Sequence, residues 1–202
     1  MKDFSVSMAL VDFIPVIFFA AAAVILMGDL YNKMSKGAFA LFAAGTIDVT
    51  CAGALKATYK LLYAAGACDF EALNAIFFPV QSLGFLLAGL GVLLMLCKKQ
   101  AALAVAPPVF SGTFLFVGLM VAGLGLMNLG LCILSSRLKK GWLMVFFVLS
   151  FVCSLCMGYL SSKDFARASM NWIAEGVNLV GQGAFLAGVL LLHKGGLKEL
   201  KP

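Results

Sequence analysis

Long apolar stretches separated by short polar connections run through the whole sequence. Six of these stretches have a length near that of a bilayer, at 8–27, 37–55, 73–97, 109–134, 141–161 and 171–192. A helix needs about 20 mostly apolar residues to cross the hydrocarbon core of a membrane. The pattern therefore predicts an all-α polytopic membrane protein with six transmembrane helices, built as one integral membrane domain over residues 1–202.

Composition supports this class. The chain is 63% hydrophobic and 12% charged, whereas soluble domains carry about 25% charged residues. Asp12 and Pro15 interrupt the first apolar stretch, which argues against a cleaved signal peptide. The net charge of +6 comes largely from basic residues near the ends of the spans, so we expect contact with a lipid bilayer and no binding of nucleic acid.

Basic residues also predict an orientation. If successive spans alternate in direction, nine Lys and Arg residues lie on the side of the N-terminus and six lie on the other side. Because basic residues are enriched in cytoplasmic loops, both termini are expected in the cytoplasm, at the plasma membrane. In this arrangement Lys56 and Lys60 anchor the second span at the cytoplasmic surface.

The third and sixth spans resemble each other at a shift of 97 residues. This shift pairs Asn74 with Asn171, Gly84 with Gly181, and the two GVLL segments at 91–94 and 188–191. It suggests two repeats, 8–98 and 107–194. With three spans in each, alternating direction makes the repeats inverted, and transporters with inverted repeats bind substrate where the repeats meet.

Polar side chains form one stripe on the last span. In the segment NWIAEGVNLVGQ, four polar residues fall within an arc of about 60° on a helix. The third span carries a matching stripe in which aromatic rings replace two of the polar groups. Lipid cannot satisfy amides or a carboxylate, so both stripes should face a cavity. The alternative is that the amides only hydrogen-bond helix to helix. The residues predicted to line the path are Asn171, Glu175, Asn178, Gln182, Asn74 and Gln81. Phe78 and Phe85 are predicted to form its apolar wall or gate.

Two further acidic residues, Asp12 and Asp48, lie within predicted spans. Together with Glu175 they would occupy three depths in the membrane, which suggests a path for a proton or cation. Asp12 could instead be an interfacial acid that the start of the first helix favours. Asp48 lies near the middle of its span, and we expect Asp48→Asn to abolish activity while the protein stays folded.

The sequence gives little support for a redox, metal-binding or catalytic site. Cys153 and Cys156 form a C-x-x-C within an apolar helix, and His193 has no second metal ligand near it. We therefore expect no enzyme activity, no metal and no cofactor. The sequence favours a small transporter or channel for a small solute or cation. The alternative is a non-translocating subunit, sensor or substrate-capturing component. A homo-oligomer or an energising partner subunit is compatible with either function.

Overall fold

The computed structural model describes residues 5–97, 113–161 and 168–200, and every regular element in these ranges is a helix. Two are single 3₁₀ turns, Gly141–Leu143 and Leu197–Glu199. The α-helices are α1 (Val6–Val11), α2 (Phe13–Leu30), α3 (Lys36–Ala64), α4 (Glu71–Cys97), α5 (Thr113–Arg137), α6 (Met144–Ser161) and α7 (Ala168–Lys194).

Six helical segments are long and apolar enough to cross a membrane, as the sequence predicts. Helices α1 and α2 together form the first of these spans, and α3 to α7 supply the others. The chain is therefore consistent with an integral membrane protein. Helix α3 runs to Ala64, well past the predicted end of the second span at residue 55. It ends beside Gly66, whose φ of 68° is readily adopted by glycine after a helix.

Local sequence explains where the first helices begin and break. The side chains of Ser5 and Ser35 accept hydrogen bonds from the backbone N–H groups of Met8 and Ala38, which starts α1 and α3. Between α1 and α2 the helix is interrupted at Asp12, three residues before Pro15. Proline has no N–H to bond the carbonyl four residues earlier, so the backbone is free to bend there. The carboxyl group of Asp12 thus lies at a bend.

The first three spans alternate in direction. Gly84 of α4 packs against Gly45 of α3, and Gly91 packs against Ala38, so the two helices run in opposite senses. Helix α5 does not continue the alternation. Gly89 lies against Gly123, and further along both helices Val92 lies against Gly130. Residue numbers increase in the same direction along the two helices, so α4 and α5 are parallel.

The last span runs in the same direction as the first. The ring centroids of Phe19 and Phe185 are 5.8 Å apart, and His193 Nδ1 lies 2.9 Å from Asp29 Oδ2. Contacts of α6 with α5 and α7 are antiparallel; for example, Gly188 packs on Phe147, whereas Gly181 packs on Cys153. The sequence of directions is accordingly up, down, up, then again up, down, up.

Three predictions based on simple alternation are wrong for this structure. The two halves are not inverted, because each runs up, down, up. Cys97 and Thr113 lie at opposite ends of the bundle, since α4 and α5 are parallel. The two ends of the described chain, at Ser5 and Leu200, consequently lie at opposite ends of the bundle as well, and not on one side. Lys98 and the predicted start of the fourth span lie outside the described residues.

The two ends of the bundle differ in charge. At one end, here called the basic end, seven basic residues of the described chain flank the spans: Lys33, Lys36, Arg137, Lys139, Lys140, Lys194 and Lys198. At the other, here called the cluster end, Lys56 and Lys60 lie within α3. At the basic end Lys33 Nζ donates hydrogen bonds to the carbonyl groups of Lys198 (2.9 Å) and Leu200. These bonds hold the C-terminal segment against the first span.

Candidate functional site

A cavity of about 140 Å³ lies between the helices, in the half of the bundle nearer the cluster end. Toward the basic end the bundle is filled by side chains that are almost wholly buried, including Leu26, Phe42 and Val92. The polar residues that line the cavity are Asp12, Thr50, Lys56, Gln81, Ser154, Asn178 and Gln182. The cavity is therefore polar on part of its wall and closed on one side.

The three amide side chains of the cavity differ from its hydroxyl groups in their hydrogen bonding. Among the described residues, no hydrogen bond is formed by the side chain of Gln81, Asn178 or Gln182, and Gln182 Oε1 is fully buried. The hydroxyls of Thr50 and Ser154, in contrast, donate to carbonyls of their own helices. Because buried polar groups are nearly always hydrogen-bonded, Gln182 Oε1 needs a partner inside the cavity.

Lys56 places a basic side chain on the cavity wall. Its Nζ lies 3.9 Å from the centroid of the Phe77 ring, in cation–π geometry. Within the described part of the chain, no carboxylate or hydrogen-bond acceptor is within bonding distance of this ammonium group. A ring face stabilises a cation but leaves its N–H donors unused. The group is available to an anionic partner.

Aromatic and other apolar side chains form the rest of the wall. Phe77, Phe78 and Phe85 come from α4, Phe19 comes from α2, and Met120 and Met157 face them from α5 and α6. The Phe19 and Phe85 rings contact each other edge to face, with centroids 5.7 Å apart. A solute in the cavity would meet both amide groups and aromatic rings.

A buried ionic cluster adjoins the cavity at Asp12. Lys60 Nζ is 2.7 Å from Asp12 Oδ2 and 4.0 Å from Glu175 Oε2. Only 7% of Asp12 and 4% of Glu175 is exposed. The parallel course of α2 and α7 brings the two acids together, and the antiparallel course of α3 brings Lys60 to them. Three spans are thus joined by one charge cluster.

The three groups of this cluster do not balance one another as ions. Two ionised carboxyl groups beside one ammonium group leave one negative charge, which a single proton on either acid would neutralise. Glu175 Oε1 is fully buried and has no hydrogen-bond partner among the described residues. A proton bound by either acid would lie beside the cavity.

The structure brings most of the predicted path residues together, but not all. Asp12, Gln81, Asn178 and Gln182 line the cavity, and so do the predicted wall residues Phe78 and Phe85. Glu175 lies in the adjoining cluster instead. Asn171 is buried one helical turn before Glu175, outside the cavity lining. Asn74 is exposed on the surface of α4, which corrects its predicted place in the cavity.

Asp48 is separated from the cavity. Its neighbours Val49 and Thr50 line the cavity, but Asp48 lies on the adjacent face of α3, beside Ile47, which is 54% exposed. Its side chain is partly exposed and makes no hydrogen bond or ion pair within the described ranges. The side chains of successive residues on a helix point in directions about 100° apart. The positions of Val49 and Thr50 in the cavity wall therefore do not place Asp48 there. Its position does not support a role in the path.

Two residues of the site were misread from the sequence. Lys56 and Lys60 were predicted to be anchors at a membrane surface, whereas the structure places them at the cavity and in the ionic cluster. Their spacing of four residues puts both on one face of α3. A signal was present, because the first two spans form an antiparallel hairpin, and Asp12 and Lys60 lie at similar distances from its turn.

Comparison with known proteins gives no relative: no protein-family model, curated protein or solved structure matches this chain. Function is therefore inferred from the cavity and its ionic cluster.

Proposed function

We propose that the protein is a small membrane transporter whose substrate binds in the cavity. The observation that carries this proposal is a cavity within six apolar helices whose amide and ammonium groups have no partner among the described residues. Leaving a buried polar atom such as Gln182 Oε1 without a hydrogen bond is costly in an apolar bundle. A polar solute that enters the cavity would supply the missing hydrogen bonds, and this gain provides specific binding.

The packing favours a transporter over a channel. A channel needs a continuous path, whereas this cavity is closed toward the basic end by a well-packed core. Transporters bind substrate near the membrane centre and open to one side at a time. The present arrangement corresponds to a state that is closed toward the basic end.

The charge difference between the two ends supplies the orientation. Because basic residues flank cytoplasmic ends of spans, the basic end is assigned to the cytoplasm. The described part of the chain then carries its seven flanking basic residues on the cytoplasmic side. The described chain then begins at Ser5 on the non-cytoplasmic side and ends at Leu200 on the cytoplasmic side, and the cavity lies nearer the non-cytoplasmic side.

The acid pair provides a means of coupling. Asp12 belongs to the cavity wall, and Lys60 contacts both Asp12 and Glu175, so a proton bound by either acid would lie next to the bound solute. Buried acids that can exchange a proton are typical of proton-coupled transporters. We assign this pair, and not Asp48, to the proton.

Filling the cavity should stop transport. Gly158 lines the cavity, and a Cβ atom built at this position has no other atom within 4 Å. The phenylalanine ring of Gly158→Phe would therefore extend from the cavity wall. We expect loss of at least 90% of solute uptake into proteoliposomes that contain only this chain, screened with neutral, anionic, cationic and zwitterionic solutes. Gly118→Phe is the matched control, because Gly118 also has free space around it but lies on the exposed surface of α5.

The control variant should transport like the wild-type protein. Equal uptake by wild-type protein and Gly158→Phe would contradict the assignment of the cavity as the substrate site. Solute binding by the wild-type protein without any flux would assign the chain to the alternative class, a substrate-capturing subunit that needs an energising partner.

A further inference from the structure

We infer that the substrate is a small aromatic carboxylic acid, bound as its anion by Lys56. The inference rests on the proposed function and names the chemical class that the same cavity accepts. It follows from three properties of the cavity: the charge it leaves unpaired, the shape and chemistry of its apolar wall, and the unpaired acceptor at Gln182.

The charges near the cavity select an anion. Among the described residues, the titratable groups that face this region are Asp12, Glu175, Lys60 and Lys56. Lys60 contacts both acids. Lys56 lies on the cavity wall, and no carboxylate of the described chain lies within 4 Å of its Nζ. A carboxylate on the solute, placed beside Lys56 Nζ, would form charge-assisted hydrogen bonds.

The apolar wall selects a flat, compact body. Four phenylalanine rings surround the cavity, namely Phe19, Phe77, Phe78 and Phe85. Aromatic rings pack well in offset or edge-to-face contact with other rings. The volume of about 140 Å³ is close to that of an apolar cavity of about 150 Å³ that accepts benzene. The volume therefore matches one substituted six-membered ring.

The amide wall adds a requirement for a hydrogen-bond donor. Gln182 Oε1 is buried and accepts no hydrogen bond in the described structure. An oxygen acceptor of this kind is satisfied by an O–H or N–H group. A hydroxyl or amino group on the ring would supply it. The predicted class is thus a benzoate that carries one such substituent.

The test compares three probes that differ only in charge. Binding of 4-hydroxybenzoate, 4-hydroxybenzamide and 4-hydroxybenzylamine to the wild-type protein in nanodiscs is measured by equilibrium dialysis, with protein-free nanodiscs as the blank. We expect the anion to bind about 30-fold or more tightly than the neutral amide, and the cation to bind most weakly. In Lys56→Met the anion should lose that advantage, whereas the amide should bind as before. Lys56→Arg should retain a preference for the anion.

Several results would overturn the inference. These are equal binding of anion and amide to the wild-type protein, preference for the cation, or an undiminished preference for the anion in Lys56→Met. Absence of binding by all three probes would exclude the aromatic class. The comparison of the three probes on the wild-type protein tests the inference even if the Lys56→Met variant does not fold. If the probes fail to bind but other solutes are taken up in the proteoliposome assay, the inference is wrong and the proposed transport function still holds. If 4-hydroxybenzoate binds but is not transported, the transport function is wrong and the inference about the ligand still holds.

Discussion

Replacing Lys60 by methionine is expected to destabilise the protein by about 3–5 kcal/mol, the cost of removing one partner from a buried ion pair. The variant leaves Asp12 and Glu175 almost fully buried and without their nearest cation. The acids belong to the first and last spans, so the cost of burying uncompensated carboxyl groups acts directly on the packing of those two spans. Thermal unfolding of the purified protein, followed by loss of the folded peak in size-exclusion chromatography, measures the effect.

Two control variants make this result specific. Lys36→Met removes an exposed charge from the start of the same helix and should change stability by less than about 0.5 kcal/mol. The triple variant Asp12→Asn, Lys60→Met, Glu175→Gln removes all three charges and should recover most of the lost stability, because no charge remains uncompensated. A Lys60→Met protein as stable as Lys36→Met would show that the ionic cluster does not form.

The second large effect is expected at Gly123, where α4 and α5 cross. A Cβ atom built there would lie 2.4 Å from the backbone nitrogen of Leu86, and backbone cannot move aside as a flexible side chain can. Gly123→Ala must therefore push the helices apart, at an expected cost of about 2–3 kcal/mol by analogy with overpacked cores. The same thermal unfolding assay measures it.

Gly118→Ala is the control on the same helix. Its new methyl group meets no atom within 4 Å, and alanine is the better helix former by up to about 1 kcal/mol. The control should thus be neutral or slightly stabilising. If both alanine variants were equally stable, α5 would not pack on α4 in the parallel arrangement described above.

Much of the fold and part of the site could be predicted from the sequence. The six spans follow from hydropathy and length, because a lipid environment demands helices with internally satisfied backbones. The polar stripe grouped Asn178 with Gln182, and the repeat comparison added Gln81; in the structure all three line one cavity. Side-chain periodicity on a single helix was sufficient for this, since residues three and four apart share a face.

The position of Asp48 and the directions of the helices were beyond such reasoning. Periodicity gives the relative angles of residues on one helix, but not which angle faces the centre of the bundle. It therefore could not separate Asp48 from Val49 and Thr50, which do line the cavity. Alternation was assumed at every connection, and this assumption fails between α4 and α5. The parallel arrangement of the outer spans, and with it the Asp12–Glu175 contact, was missed for that reason.

Helix contacts through glycine show the same limit. Gly84 and Gly91 lie where the backbones of α3 and α4 approach closely. At Gly118 and Gly176, in contrast, nothing lies within 4 Å of a Cβ built on the backbone. Small residues permit close approach without requiring it. Which glycines meet a neighbour depends on the helix directions, which the sequence pattern does not contain.

Side-specific labelling tests most directly whether the first and last spans are parallel, the arrangement that creates the ionic cluster and its cavity. In a cysteine-free background, single cysteines are placed at the exposed Cys68 position, at Lys33 and at Glu199, and are treated with a membrane-impermeant maleimide in intact cells and in inverted vesicles. The structure predicts that Glu199→Cys reacts from the same side as Lys33→Cys and from the side opposite to Cys68. Labelling of Glu199→Cys from the same side as Cys68 would restore simple alternation, separate Asp12 from Glu175 and contradict the site.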